Sequence, residues 1–312
     1  MKMHIILVSY LKNITESHPY TIGKEKSRNG FQISNQIILG VKFNIDVFHI
    51  FEGWRALMNM YETIFSRKSI RKYHDETIEW EVLDDILKFA DKMPLLVKDI
   101  GVEYKLVSNI EENQGFNGPF TVKAPYYIIL SSEKKDNYLL NAGYIMQHLS
   151  LYIESKGLGT CYMGGASPGM GLKRTLNYDY VIALAFGKPK EDPYRDHILA
   201  KRRPEKDLVV YKEEVSSDIR KILEAARLAP SSLNNQPWRF VVYDNRIHVF
   251  ARKNPLLLKK MDKMKMIDMG IMLANLLIAA EELWIDVKLT RSDSLKSKSL
   301  KNNEYVLSLL ID

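Results

Sequence analysis

A dense run of hydrogen-bonding side chains occupies Ala229-Pro-Ser-Ser-Leu-Asn-Asn-Gln-Pro-Trp-Arg-Phe240, with two hydroxyls, three amides and two prolines beside Trp238. A helix-to-strand connection needs one Gly or Asn, not this many donors and acceptors. The prolines restrict the backbone on both sides, so Ser231, Ser232, Asn234 and Gln236 can be held against something planar and polar. The ring system or ribityl chain of a bound cofactor meets that description; a well-capped surface loop is the plainer alternative.

A second candidate is Phe65-Ser-Arg-Lys-Ser-Ile-Arg-Lys-Tyr73. Extended after a helix stop, it projects Arg67, Ser69 and Arg71 to one side by the period of two. Two guanidiniums and a hydroxyl on one face can clamp an oxyanion through charge-assisted hydrogen bonds. The alternative is a solvated basic turn. The run Gly157-Leu-Gly-Thr-Cys-Tyr-Met-Gly-Gly165 gives room for a flat ligand near Leu158 and Gly159, although Gly157 also reads as a helix C-cap. Lys201-Arg-Arg-Pro204 is a basic loop whose Arg202 and Arg203 matter only if they lie near Arg67 and Arg71.

The elements that must position these groups follow from periodicity. A helix at Tyr61–Phe65 leads into the arginines. Thr77 is expected to cap a helix over about 79–93 with Leu83, Ile86, Leu87 and Ala90 on its buried stripe. Strands are expected at about 102–108 and 125–131, a long helix at about 136–156 ending at Gly157, and strands at Tyr180–Phe186 and Leu208–Tyr211. The pattern Ile219, Ile222, Leu223, Ala226 marks the helix entering the amide-rich stretch, and Phe240–Tyr243 a strand leaving it.

The 312 residues are 46% hydrophobic, enough for a substantial core, and the interspersed charges mark a folded chain. A single cysteine, Cys161, excludes an intrachain disulfide and a multi-cysteine metal site and suits a reducing cytosol. The net charge of +7 comes without a basic motif carrying base-stacking aromatics. Phosphate-bearing small molecules are therefore expected as partners rather than nucleic acid. No apolar run reaches membrane-spanning length, and His4–Leu11 lacks the flanks of a secretory signal. Residues 1–58 carry apolar bursts without a sustained period; they read either as an N-terminal extension that packs on the body or, the favoured expectation, as a stretch upstream of the true initiator, since Met58 and Met60 immediately precede the first clear helix.

The sequence repeats itself. Leu83–Pro94 matches Ile219–Pro230, Gly143–Leu151 matches Gly270–Ile278, and Tyr180–Leu184 matches Tyr305–Leu309, at offsets of about 125–136 residues. Half A (60–212) carries the arginines, the glycine run and the basic loop. Half B (216–312) carries the amide-rich stretch, where half A has Leu95-Leu-Val-Lys98. Two complementary half-sites predict one composite site where the halves meet.

In order along the chain, "SRKSIRKY", "GLGTCYMGG", "GKP…KRRP" and "APSSLNNQPWRF" resemble the flavin-dependent nitroreductases over about 61–312, and the duplication resembles the branch in which one chain mimics the usual homodimer. The resemblance implies an α+β fold, a mixed and mostly antiparallel sheet flanked by helices. It implies FMN held by Arg67, Ser69, Arg71, Arg202 and Arg203, with Leu158 and Gly159 against its ring. Pro230, Ser231, Ser232, Asn234 and Gln236 would close it from half B, one FMN per chain. It further implies NAD(P)H as donor, a nitroaromatic or quinone as acceptor, a cytoplasmic location and a monomer. The same resemblance admits a same-fold flavoprotein with another reaction, or a flavin-binding module without turnover. No nucleophile–base pair is expected: His148 and His197 read as structural or solvated, and Cys161 as packing.

Overall fold

A computed structural model describes residues 60–110, 115–254, 261–296 and 302–311. The expectation for residues 1–58 lies outside the described residues. In chain order, α1 covers 60–66, and α2 Trp80–Lys92, β1 Val102–Ser108, β2 Phe116–Asn117, β3 Tyr126–Ser132, α3 Tyr138–Ser155, β4 Gly159–Tyr162, β5 Ser167–Pro168, β6 Asp179–Gly187 and β7 Val209–Tyr211 follow. Then come α4 Ser217–Arg227, β8 Trp238–Val242, β9 Arg246–Arg252, α5 Asp262–Glu282, β10 Val287–Thr290 and β11 Asn303–Ile311. Met170–Lys173 and Asp293–Lys296 are short four-residue helices.

Two sheets carry the architecture. The first has the order β1-β3-β6-β4 and is antiparallel throughout. The second has the order β10-β11-β9-β8-β7; its one parallel pair joins β7 to β8, with Val209 opposite Phe240. Thus β7, which the repeat assigns to half A, hydrogen-bonds into the sheet built from half B. The fold is the mixed, mostly antiparallel α+β arrangement that the resemblance implies.

Strand β3 shows why the first sheet is covered on both sides. Tyr126, Ile128 and Leu130 enter the main core, and Tyr127 and Ile129 join a second cluster with Ile70, Cys161 and Ala183. The main cluster is continuous across both sheets and takes in α3 and α5. These two helices bury side chains on all sides, as a helix enclosed by other elements must. They cross at Gly143 and Gly270. A Cβ on Gly143 would overlap the carbonyl oxygen of Ile267, and one on Gly270 that of Leu140.

Local signals explain the ends of several elements. Ser216 caps α4 by accepting from Ile219 N at 3.2 Å, and Ile219, Ile222, Leu223 and Ala226 are buried as their spacing requires. Gly157, at φ 79°, follows α3 as a left-handed C-cap and donates to Glu154 O at 3.0 Å. Thr77 does not cap α2. The helix starts at Trp80, with Glu79 at the cap position and no side-chain hydrogen bond there; Thr77 is two residues too early to serve the first turn. Among the described residues no helix is long and apolar enough to cross a membrane, and no cluster of His, Cys, Asp and Glu could hold a metal ion.

Candidate cofactor site

The segment leaving α1 is extended, as its alternation predicts. Arg67 bridges Tyr194, Ser69 bridges Thr160, and Ile70 N donates to Thr160 O at 2.9 Å, which lays the segment along β4. The charges of Arg71 and Arg67 both act on the Cys161 thiol, against the burial that pushes it up. The two arginines differ in burial. Arg71 is exposed, its Nη1 3.5 Å from Ser69 O. Arg67 is 4% exposed and pairs with Glu154, its Nε 3.0 Å from Oε2 and its Nη2 3.3 Å from Oε1. The expectation of a free two-arginine clamp is corrected here: α3 brings a carboxylate to Arg67, because a buried guanidinium without a partner is costly. Glu154 also accepts from the Thr160 hydroxyl, which meets Ser150 Oγ at 2.7 Å. Burial pushes the Glu154 carboxyl up against the pull of Arg67.

The basic loop lies at this place too. Burial and then the charge of Arg67 push the Arg195 guanidinium down. Arg202 is pushed down to about 10, first by burial and then by Arg67, Arg195 and Arg227. Arg67, Arg195 and Arg202 therefore form one mutually repelling cationic cluster. Arg195 was not expected from the sequence, where it is a single arginine in a polar loop. Its position follows from the Arg67–Tyr194 bridge and from Arg195 N donating to Ser66 O at 2.7 Å.

The amide-rich stretch is stitched to the basic loop. Arg202 donates from Nη1 to Asn234 Oδ1 at 3.2 Å and from Nη2 to Leu228 O at 2.9 Å. Asn234 Nδ2 donates to Lys201 O at 2.9 Å, and Arg203 N donates to Gln236 Oε1 at 2.7 Å. Within the turn, Gln236 N donates to Ser231 Oγ at 3.0 Å. Leu233, Asn234 and Gln236 all have left-handed backbone, with φ of 52°, 55° and 50°. Such a turn holds only where its surroundings fix it. Pro230 is buried at its start, Ser231 and Ser232 are half-buried, and Asn234 is exposed.

On the glycine run the structure changes one assignment. A Cβ on Gly159 would lie 2.7 Å from Ile70 Cβ, so the space beside Gly159 belongs to packing rather than to a ligand, and Leu158 is buried in the core. The glycine that faces the amide-rich turn is Gly164: a Cβ there would lie 2.6 Å from Met264 Cε and 3.8 Å from Ser232 Oγ. Beneath the turn, α5 presents Asp268, 2% exposed, which accepts from Ser232 N at 2.9 Å. Burial pushes its carboxyl up to about 8, against the pull of the Ser232 N–H. Sequence reasoning missed both Gly164 and Asp268.

A polar relay also runs between the halves. Tyr162 donates to Gln147 Oε1 at 2.9 Å, Gln147 Nε2 to Asn275 Oδ1 at 2.8 Å, and Asn275 Nδ2 to Ala225 O at 2.9 Å. Burial pushes His148 down to about 4 and Cys161 up, and the His197 ring packs on Phe65.

The residues present fit an anionic, hydrogen-bonding cofactor. Arg67, Arg195 and Arg202 repel one another beside the Glu154 carboxylate, and an oxyanion would relieve that repulsion. Arg203 Nε, buried without a partner among the described residues, belongs to a side chain that bears on Arg239 instead.

A solved structure shares the fold. A "putative nitroreductase" of Thermotoga maritima MSB8 superposes with a TM-score of 0.56 over 81% of this chain and 94% of its own, at 22% identity. An FMN-dependent nitroreductase of Clostridium difficile R20291 is 26% identical and covers 46% of this chain and 94% of its own, with a TM-score of 0.36. A "putative NADH dehydrogenase/NAD(P)H nitroreductase" of Bacteroides thetaiotaomicron VPI-5482 is 22% identical over 48% of this chain and 95% of its own, with a TM-score of 0.37. No curated protein matches the chain. The family described as "Putative TM nitroreductase" matches residues 59–280, more than half of the sequence, and the chain belongs to that nitroreductase family.

Proposed function

We propose that the chain is an FMN-dependent NAD(P)H oxidoreductase that reduces nitroaromatic, quinone or related acceptors. The observation that carries this reading is the junction of the arginine cluster with the amide-rich turn, through Arg202 and Asn234. A phosphate suits Arg195, Arg202 and Arg71, with Ser69 beside them and Arg67 held in place by Glu154. Ser231, Ser232, Asn234 and Gln236 offer the hydrogen-bonding groups that a polar ring and chain require, with Arg203 and Pro230 framing the turn. When bound, FMN supplies the hydride and electron chemistry. The chain's own work is placement: the cationic cluster anchors an anionic end, the turn orients the rest, and Gly164 lets Met264 and Ser232 pack close to the glycine run. NAD(P)H and the acceptor would use the same place in turn. The donor and cofactor assignments follow the family resemblance; NAD(P)H stands in the name of the Bacteroides thetaiotaomicron structure and FMN in that of the Clostridium difficile one.

The chain is further read as a fused pseudo-dimer with one such site, half A over 60–212 and half B over 216–312, acting as a cytoplasmic monomer. Support comes from the reciprocal crossing at Gly143 and Gly270 and from Leu95 and Leu96, which pack on the core where half B carries its serines.

The test is the visible spectrum of the purified chain, before and after anaerobic NADPH. A yellow protein that bleaches supports the reductase. A yellow protein that NADPH and NADH leave oxidised identifies a flavin-binding module, and a colourless chain that cannot be loaded with FMN overturns the reading.

A further inference from the structure

Asn141 and Asp268 do the same structural job with different chemistry. Asn141 stands two residues before Gly143 on α3, and its Oδ1 accepts from Val97 N at 3.1 Å. Asp268 stands two residues before Gly270 on α5, and its Oδ1 accepts from Ser232 N at 2.9 Å. Each ties down the turn that follows a preceding helix, α2 or α4. Both are buried, at 0% and 2% exposure. A neutral amide therefore suffices to anchor such a turn. A carboxyl in the same role adds only the desolvation cost of its charged form, which no cation offsets.

The surroundings of Asp268 contain little to fix its charge. Burial and the Ser232 N–H are the influences on it. From β4 it faces Tyr162, a phenol that burial holds protonated well above its ordinary range. On its own helix, Lys265 is committed to Asp262 at 3.0 Å and to Glu304. The turn above, Ser231–Gln236, has no titratable side chain. Met264, one turn earlier on α5, and Ser232 close on Gly164, so Asp268 lies beneath the side of the turn that faces the glycine run.

We propose that Asp268 is a positioning residue that makes the amide-rich turn proton-linked. With a neutral Asp268 the turn is anchored under an uncharged group and accepts an anionic ligand; with an ionised Asp268 it carries a buried negative charge that opposes one. This rests on the reading of the turn as half of the FMN site. The carboxyl's raised proton affinity, to about 8, places the change within an accessible range. A buried carboxylic acid held neutral near pH 7 has precedent in enzyme sites.

The test follows FMN affinity by fluorescence between about pH 6 and pH 9, where one adverse charge of this kind is worth roughly tenfold. The natural chain should lose about tenfold in affinity across that range, and Asp268→Asn, which keeps the Ser232 acceptor, should show a flat profile. Asp268→Ala should bind more weakly throughout, because Ser232 N is left without its acceptor. A merely structural Asp268 would give parallel profiles for the natural chain and Asp268→Asn, and that result overturns the proposal. The ligand-free chain supplies a separate readout. The unfolded carboxyl ionises near pH 4 while the folded one keeps its proton to about pH 8. The melting advantage of Asp268→Asn should therefore grow from about pH 4 to about pH 8 and then level off. If FMN binds at no pH, the cofactor reading falls and this melting comparison decides alone. A growing advantage supports the proton-linked turn, and a constant one overturns it.

Discussion

Gly143 and Gly270 meet each other's helices at equivalent steps: Gly143 lies against the carbonyl of Ile267, three residues before Gly270, and Gly270 against that of Leu140, three residues before Gly143. The contact is its own mirror under exchange of the two helices, as a twofold interface requires. Backbone carbonyls fill the space where side chains would stand, so only glycine fits at either position. The crossing joins the helix that holds Glu154 against Arg67 to the helix that holds Asp268 under Ser232.

Gly143→Ala and Gly270→Ala should each destabilise the chain by about 1–3 kcal/mol, since the added methyl meets backbone that cannot rotate away. The gain in helix propensity, roughly 1 kcal/mol, does not offset this. Gly171→Ala is the control, because nothing lies within 4 Å of its added methyl. Urea midpoints for the three variants check the crossing; equal midpoints would refute it.

Arg67→Ala should destabilise the ligand-free chain by about 3–5 kcal/mol, because it strands the Glu154 carboxylate in the core. The double variant Arg67→Met with Glu154→Gln should recover most of that loss. If the single variant melts like the natural chain and only FMN retention suffers, Arg67 is a free phosphate ligand and the Glu154 pair is not formed in solution.

These two expectations show what the sequence made legible and what it hid. Helix α4 and the turn after it were readable, because Ser216, the spacing of Ile219, Ile222, Leu223 and Ala226, and the crowding of amides are all local signals. The pairing of Gly143 with Gly270 was visible as a repeat, but its meaning as a contact is a matter of packing. Glu154 was invisible as Arg67's partner: an acid in the last turn of a helix normally reads as solvated, and only the enclosure of α3 makes it buried. Asp268 was hidden by the same effect inside an apolar helix. Gly159 misled because a glycine states that space is needed, not what fills it, and here Ile70 does. Arg195 had no local signature at all; it reaches the cluster through the extended segment that bridges residue 194.

His148 should contribute an acid limb to stability. Burial holds its folded pKa near 4, below the ordinary value of 6.5. The folded ring stays neutral while the unfolded one takes up a proton, so stability is present above about pH 6.5 and is lost as pH falls toward 4. His148→Gln should flatten that part of the melting profile, whatever its effect at pH 8. A natural chain whose melting temperature does not fall over this interval more than the variant's would show that His148 ionises in the fold.

The cationic cluster gives the last prediction, and it separates holding the cofactor from holding the fold. Arg195 has no ion pair among the described residues, and burial together with Arg67 weakens its hold on its proton. Removing it relieves repulsion in the ligand-free chain while deleting a phosphate contact. Arg195→Ala should therefore leave thermal stability unchanged or slightly raised and weaken FMN binding by about 1.5–3 kcal/mol, the scale of a charged hydrogen bond. Arg202→Ala should weaken binding by a similar amount and also lower stability, since Leu228 O loses its side-chain donor and Asn234 Oδ1 one of its two. Arg71→Ala, at an exposed position, should weaken binding least. FMN fluorescence titrations and ligand-free melting curves on the three variants read both quantities. Unchanged FMN affinity in Arg195→Ala and Arg202→Ala would place the phosphate elsewhere, because these two guanidiniums repel each other and neither forms an ion pair among the described residues.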